Sequence, residues 1–149
     1  MLALLLTVGE KVCAIPARAV VEVVAKVELR STPEAPPWMP GLFAYRGSIL
    51  PVVDLCMRIE RRPCPSLLAS RIVVVQRASG RSEDWYGLLS ESVTDVRALN
   101  EDAKSGANVE LAAYVQRAVL QEGKLIHILD LEQIVSASGA LRLGAGSAP

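Results

Sequence analysis

The chain has 149 residues, 51% of them hydrophobic, and its sixteen Lys+Arg balance sixteen Asp+Glu. That length favours one domain, or two small lobes sharing a core, and so much apolar material excludes disorder of the whole chain. No long block of one sign occurs, which excludes the electrostatic footprint of a nucleic-acid binder. Twelve of the sixteen basic residues are arginine, which suits planar contacts with carboxylates and protein surfaces.

The opening MLALLLTVGEKV is oily but lacks a basic leader and a small-residue cleavage site. Its apolar run falls far short of the ~18 residues of a membrane span, so it is expected to be a strand. Further strands are expected over residues 12–15, 20–29, 42–45, 49–53, 72–76, 86–89, 93–99, 115–121 and 125–129, each short and rich in Val, Ile and Leu. Pro33, Pro36, Pro37 and Pro40 stop any regular element between residues 31 and 41. Residues 61–70, 78–84 and 100–113 read as loops, and 136–149 as a flexible tail behind a single domain over 1–135. The spacing of the strands predicts a mainly β fold of barrel or sandwich type.

An internal echo sharpens this. GSILPVVDL from Gly47 matches GKLIHILDL from Gly123, at an offset of 76 residues. CAIPARAVVEV from Cys13 matches YGLLSESVTDV from Tyr86, at an offset of 73. Apolar strands resemble one another by chance, but two echoes in one order at nearly one offset favour duplication. The implied architecture is two small β-barrels packed together, with a joint between them.

Asp54 and Asp130 hold the same place in the echo, between an apolar strand and a leucine. Aspartate there is suited to cap a helix by accepting the unpaired N–H groups of its first turn. Asp130 with Gln133 also has the spacing of a capping box. The competing reading is a small-molecule-binding or catalytic barrel that uses Asp54, Asp130 and His127, the only histidine. Duplicated capping explains both aspartates without chemistry. No Gly-x-Ser-x-Gly elbow, Gly-x-Gly-x-x-Gly loop or Walker loop is present, so no catalytic residue or cofactor site is expected. A phosphorylated receiver-like regulator needs an acidic cluster and a βα alternation that this chain lacks. Cys13, Cys56 and Cys64 form no C-x-x-C pair, so neither a disulfide framework nor a zinc knuckle is expected. With one His and no clustered Cys, no histidine-based metal site is expected either, and the expected compartment is a reducing cytoplasm.

Arg46-Gly47-Ser48 lies between two strand-like runs and reads as a tight hairpin. Gly47 takes positive φ at little cost, in a type II turn or a type I turn followed by a glycine bulge. Arg46 then projects beside the ring of Tyr45. It is either a solvated charge that discourages edge aggregation or a binding anchor, since Arg and Tyr are enriched among hot spots. Turn chemistry leaves the two readings even.

These motifs resemble the CheW family of chemotaxis coupling proteins. The family pattern runs from Ala-Ile-Pro through Val-x-Glu-Val/Ile and a proline loop to Gly-Val-x-x-Leu-Arg-Gly-x-x-x-Pro-Val-x-Asp-Leu. This chain supplies Ala14-Ile15-Pro16, Val20-Val21-Glu22-Val23, the prolines from Pro33 to Pro40, and GLFAYRGSILPVVDL from Gly41 to Leu55. The second half supplies GLLSESVTDV from Gly87 and LIHILDL from Leu125. The resemblance implies two five-stranded, SH3-like barrels around a continuous core. It further implies a non-enzymatic scaffold that couples the cytoplasmic tip of a chemoreceptor to the regulatory domain of a CheA-type histidine kinase, with no insertion into the membrane. Val20 and Glu22 match the receptor-facing segment, and Arg46 matches the Arg-Gly arginine with Tyr45 beside it. Phe43-Ala44-Tyr45 replaces the commoner Ile/Val-Asn-Leu, and Ser90-Glu91 the commoner Val-Asp. The aromatic Tyr-Arg-Gly version is similar to coupling proteins of alternative chemosensory systems, such as Wsp-type surface sensing.

Overall fold

Leu2–Val8 forms the first strand, β1, and turns tightly into β2 (Lys11–Pro16), its antiparallel neighbour. The protein is described by a computed structural model over residues 1–100 and 112–136; the expected loop 100–113 and tail 136–149 lie mostly outside those residues. A 3-10 turn at Ala17–Ala19 leads to β3 (Val20–Ala25), and the proline-rich segment follows. Next come β4 (Gly41–Tyr45), β5 (Ser48–Asp54), α1 (Leu55–Glu60), β6 (Arg71–Val75), β7 (Tyr86–Ser90) and β8 (Ser92–Ala98). The remaining elements are β9 (Val115–Gln121), β10 (Lys124–Leu129) and α2 (Leu131–Ser136).

The ten strands of the described residues make two five-stranded sheets, in the orders β8-β1-β2-β10-β9 and β3-β6-β7-β5-β4. Exchanging the first five strands for the last five, in order, converts one sheet into the other. The echo is therefore a true structural repeat, and each half of the chain lends strands to both lobes. The repeat extends to strand direction: β2 runs parallel to β10 in lobe 1, and β5 runs parallel to β7 in lobe 2.

Packing explains why several strands read as unbroken apolar runs. On β1, Leu4, Leu6 and Val8 join a large cluster that includes Val52, Val53, Ile72 and Tyr86 from lobe 2. Ala3 and Leu5, pointing the other way, join a smaller cluster with Ala14, Val119, Ile126 and Ile128 inside lobe 1. A strand covered on both faces gains nothing from polar alternation.

Two details correct the sequence reading. Strand β3 stops at Ala25 rather than 29, because its partner β6 begins at Arg71, opposite Ala25. The chain then returns to β4 through a bridge between Arg30 and Leu42, with N···O distances of 2.9 and 2.8 Å. Gly41 permits this approach, since a Cβ there would stand 2.6 Å from the Arg30 carbonyl oxygen. The β4–β5 turn is also neither of the types expected. Tyr45 pairs with Ser48 across a two-residue loop, and both Arg46 (φ 48°) and Gly47 (φ 81°) have positive φ. That is the type I′ turn, whose twist matches the flanking strands better than types I and II do. The equivalent turn of lobe 1, Glu122 (φ 52°) and Gly123 (φ 76°), has the same form.

Candidate functional site

The side chains singled out by the sequence meet at a corner of lobe 2. Glu22 projects from edge strand β3 toward the β4–β5 turn, where one of its oxygens, Oε1, accepts two hydrogen bonds. One comes from the Tyr45 hydroxyl and the other from Arg46 Nη2, at 2.7 Å. The Arg46 guanidinium carbon lies 5.1 Å from the centroid of the Tyr45 ring, within cation–π range. Tyr45 itself is buried in an aromatic row, 6.0 Å from Phe43 and 6.4 Å from Trp85 between ring centroids. Burial, reinforced by the bond to Glu22, raises the Tyr45 phenol above its ordinary range and keeps it a donor. The Arg46 side chain is 67% exposed, so its carboxylate partner orients the guanidinium without hiding it. Val20 opens the same strand, half-buried against the cluster that contains Tyr45; a bulge separates its pairing with Val75 from that of Glu22 with Val74. The structure thus gathers Glu22, Tyr45 and Arg46 directly and sets Val20 two residues up the strand.

The repeat offers a built-in comparison. At the tip of the β9–β10 hairpin, Glu122 occupies the place of Arg46 and pairs with Arg97 of β8 at 2.8 Å. Gln121 replaces Tyr45 and accepts a hydrogen bond from the Asn100 backbone. Both lobes therefore clasp a hairpin tip to an edge strand, with the tip charge reversed. Such exposed pairs contribute little stability. Only the corner of lobe 2 adds an aromatic platform, and that combination marks it as the candidate surface.

Both expected caps form. Asp54 Oδ1 accepts from Met57 N at 3.1 Å, and its second oxygen accepts from Cys64 N at 2.9 Å. Asp130 Oδ1 accepts from Glu132 N and Gln133 N, both at 3.1 Å. The capping box at Asp130 is only half made. Its backbone N–H donates to the Tyr114 carbonyl at 2.8 Å, while Gln133 Oε1 accepts from Ser136. The Asp54 N–H donates to Trp38 O at 2.7 Å, at the same 76-residue offset, so the backbone bond behind each cap is duplicated as well. Arg58, which sequence reasoning passed over, links the two: it lies 4.6 Å over the Trp38 ring and donates to Ile134 O at 3.1 Å.

Asp54, Asp130 and His127 do not share a cavity. Asp130 borders a groove of about 370 Å³ with Arg77 and Glu132, whereas His127 lines a separate cavity of about 180 Å³ with Lys11, Cys13 and Tyr114. Asp54 borders neither. The arrangement is that of two helix caps, and the reading as a three-residue catalytic pocket fails.

Two of the three cysteines, which form no C-x-x-C pair in sequence, meet in space. Helix α1 and the chain after it bring Cys56 and Cys64 beside Asp54, with one donor atom from each residue within 4.8 Å of the others, all buried. Burial first, and their mutual hydrogen bond second, raises the Cys56 thiol well above its usual range. A C-x7-C spacing carries no sequence signal, since the approach depends on where the helix ends.

Two carboxylates are held low against the pull of burial. Burial raises Glu91, but Arg62, the Gly9 N–H and Cys56 together bring it below 4.5; Arg77 and the Ala78 N–H do the same for Glu132. Depressed folded-state values contribute stability that is complete above the unfolded pKa and is lost as pH falls through the folded pKa. Urea midpoints are therefore expected to be flat above about pH 5 and to fall below about pH 4.5, with a shallower fall in Glu91→Gln. An identical acid profile in that variant removes Glu91 as a contributor.

The duplicated scaffold of two five-stranded sheets, with an exposed arginine on an aromatic platform at one corner, defines the class of the protein. Residues 2–139 match the CheW-like domain, and the chain belongs to that family. It is 24% identical over 132 residues to the chemotaxis protein CheW of Rhizobium meliloti, covering 85% of this chain and 82% of that protein. It is 25% identical over 108 residues to a probable chemotaxis protein CheW of Rhizobium etli, covering 70% of this chain and 67% of that one. Its fold is similar to the crystal structure of the scaffolding protein TtCheW from Thermoanaerobacter tengcongensis. That match has a TM-score of 0.81 and 25% identity over 93% of this chain and 89% of the other. Among the described residues, no helix is long and apolar enough to cross a membrane.

Proposed function

We propose that this protein is a non-enzymatic adaptor that couples chemoreceptors to a CheA-type histidine kinase, working in the cytoplasm at membrane-associated receptor arrays. Beyond family membership, one observation carries the reading. Arg46 is exposed, yet held in one orientation by Glu22 and by the Tyr45 ring. A long side chain fixed before binding loses less entropy when a partner immobilises it. In this reading the receptor's helical hairpin lies along β3. Val20 supplies apolar contact, and Glu22 with Arg46 supplies polar anchoring on Tyr45. Residues 1–135 act as one module, and rim charges set partner choice more than raw affinity.

The test is a pull-down with receptor-tip and kinase regulatory-domain fragments, comparing wild type with Arg46→Glu. The folded variant is expected to lose about tenfold or more in affinity for at least one partner. Unchanged binding to both removes Arg46 from the surface. Failure of the wild type to bind either fragment sinks the adaptor reading itself.

A further inference from the structure

We propose that Asp54, Cys56 and Cys64 form a binding site for a thiophilic divalent cation, with zinc the natural occupant. The donor set is two thiols and a carboxylate, all under 10% exposed, with their donor atoms within 4.8 Å of one another. In a tetrahedron with zinc–sulfur bonds of about 2.3 Å the donors lie a little under 4 Å apart. The observed cluster therefore needs only a small contraction. Glu91 Oε1, on the β7–β8 turn, lies 3.5 Å from Cys56 Sγ but stands outside this cluster and already accepts from the Gly9 N–H and Arg62, so the protein supplies three ligands and leaves the fourth position open.

The surroundings already orient this set. Backbone N–H groups of Met57 and Cys64 hold the Asp54 carboxylate, one on each oxygen, and each oxygen keeps a second lone pair. Glu91, held on one oxygen by the Gly9 N–H and the Arg62 guanidinium at 3.1 and 3.0 Å, accepts from Cys56 Sγ on that oxygen and so orients the thiol. Hydrogen bonds of this kind aim ligands at a metal and tune its affinity. Capping accounts for Asp54 alone. It does not account for two thiols packed within 4.8 Å of the carboxylate, and the repeat shows that the corner has no general need of them. In the duplicated corner the residue equivalent to Cys56 is Glu132, which pairs with Arg77 instead.

Binding replaces two S–H bonds with two metal–sulfur bonds and releases two protons to the buffer, with no change in oxidation state. The bound ion ties residue 64 to the first turn of α1 and so anchors the segment between α1 and β6. Reduced protein in metal-free buffer is titrated with Zn2+ against a chromophoric chelator, and separately with Co2+ followed by absorption. Wild type is expected to bind one zinc per chain and to show thiolate-to-cobalt absorption. Cys64→Ser is expected to lose about tenfold or more in affinity, while Cys13→Ser, altered elsewhere in the core, keeps it. Absence of zinc binding, full affinity in Cys64→Ser, or equal loss in Cys13→Ser overturns the site. If Cys64→Ser does not fold, the wild-type cobalt spectrum decides, and a spectrum without thiolate absorption overturns the proposal.

Discussion

Asp54→Ala is expected to cost about 2–4 kcal/mol of unfolding free energy, and its twin Asp130→Ala only about 1 kcal/mol. Both substitutions remove a helix cap, a loss of typically about 1 kcal/mol. The difference lies in what else each carboxylate holds. Asp54 is 5% exposed, and its second oxygen is the partner of the buried Cys64 N–H. Without it that donor is stranded, and an unsatisfied buried group costs a further ~1–3 kcal/mol. Asp130 spends a single oxygen on both of its donors and is only half-buried, so water replaces part of what is lost. Asp54→Asn keeps one acceptor oxygen and is expected to recover about half of the loss. Urea unfolding followed by circular dichroism, in excess chelator to remove any metal contribution, measures all three. Equal costs for Asp54→Ala and Asp130→Ala would show that the bond to Cys64 contributes nothing.

The same comparison shows what the sequence could reveal. Both caps were legible because Asp54 and Asp130 repeat within otherwise apolar motifs, and repetition separates a structural rule from coincidence. Strand positions were legible because β1, β6 and β7 are covered on both faces and leave unbroken apolar runs. Strand β3 was overrun because Lys26 and Glu28 continue an alternating pattern past the end of β6, and no local signal marks where a partner strand stops. Gly47 announced a positive φ, but Arg46 did not; its left-handed backbone follows from the twist a two-residue hairpin requires. The meeting of Glu22 with Arg46 was not inferred from spacing, because they are brought together by closure of the lobe 2 seam. Cys56 and Cys64 were missed for a similar reason: the left-handed residue Arg61 ends α1 and turns the chain back.

Ile128→Ala is expected to cost about 2–5 kcal/mol, and the loss should register equally in a lobe it does not belong to. Ile128 is fully buried in the smaller cluster inside lobe 1, whereas its neighbour Leu129 faces the large cluster with lobe 2. Both tryptophans lie with that larger cluster, Trp38 buried within it and Trp85 packed against it. If the lobes unfolded independently, tryptophan fluorescence would not respond to a cavity in lobe 1. The strand exchange argues otherwise: β1 and β2 are followed directly by β3 to β5, so lobe 1 cannot come apart without releasing chain that lobe 2 needs. Leu4 and Leu6 on one face of β1, with Leu5 on the other, couple the two clusters through a single strand. Tryptophan fluorescence and far-ultraviolet circular dichroism should therefore give one coincident urea transition in both wild type and variant, displaced by the same amount. Separate transitions, or a tryptophan midpoint that Ile128→Ala leaves in place, would mean that each lobe is stable alone and that the exchanged strands do not bind the lobes into one folding unit.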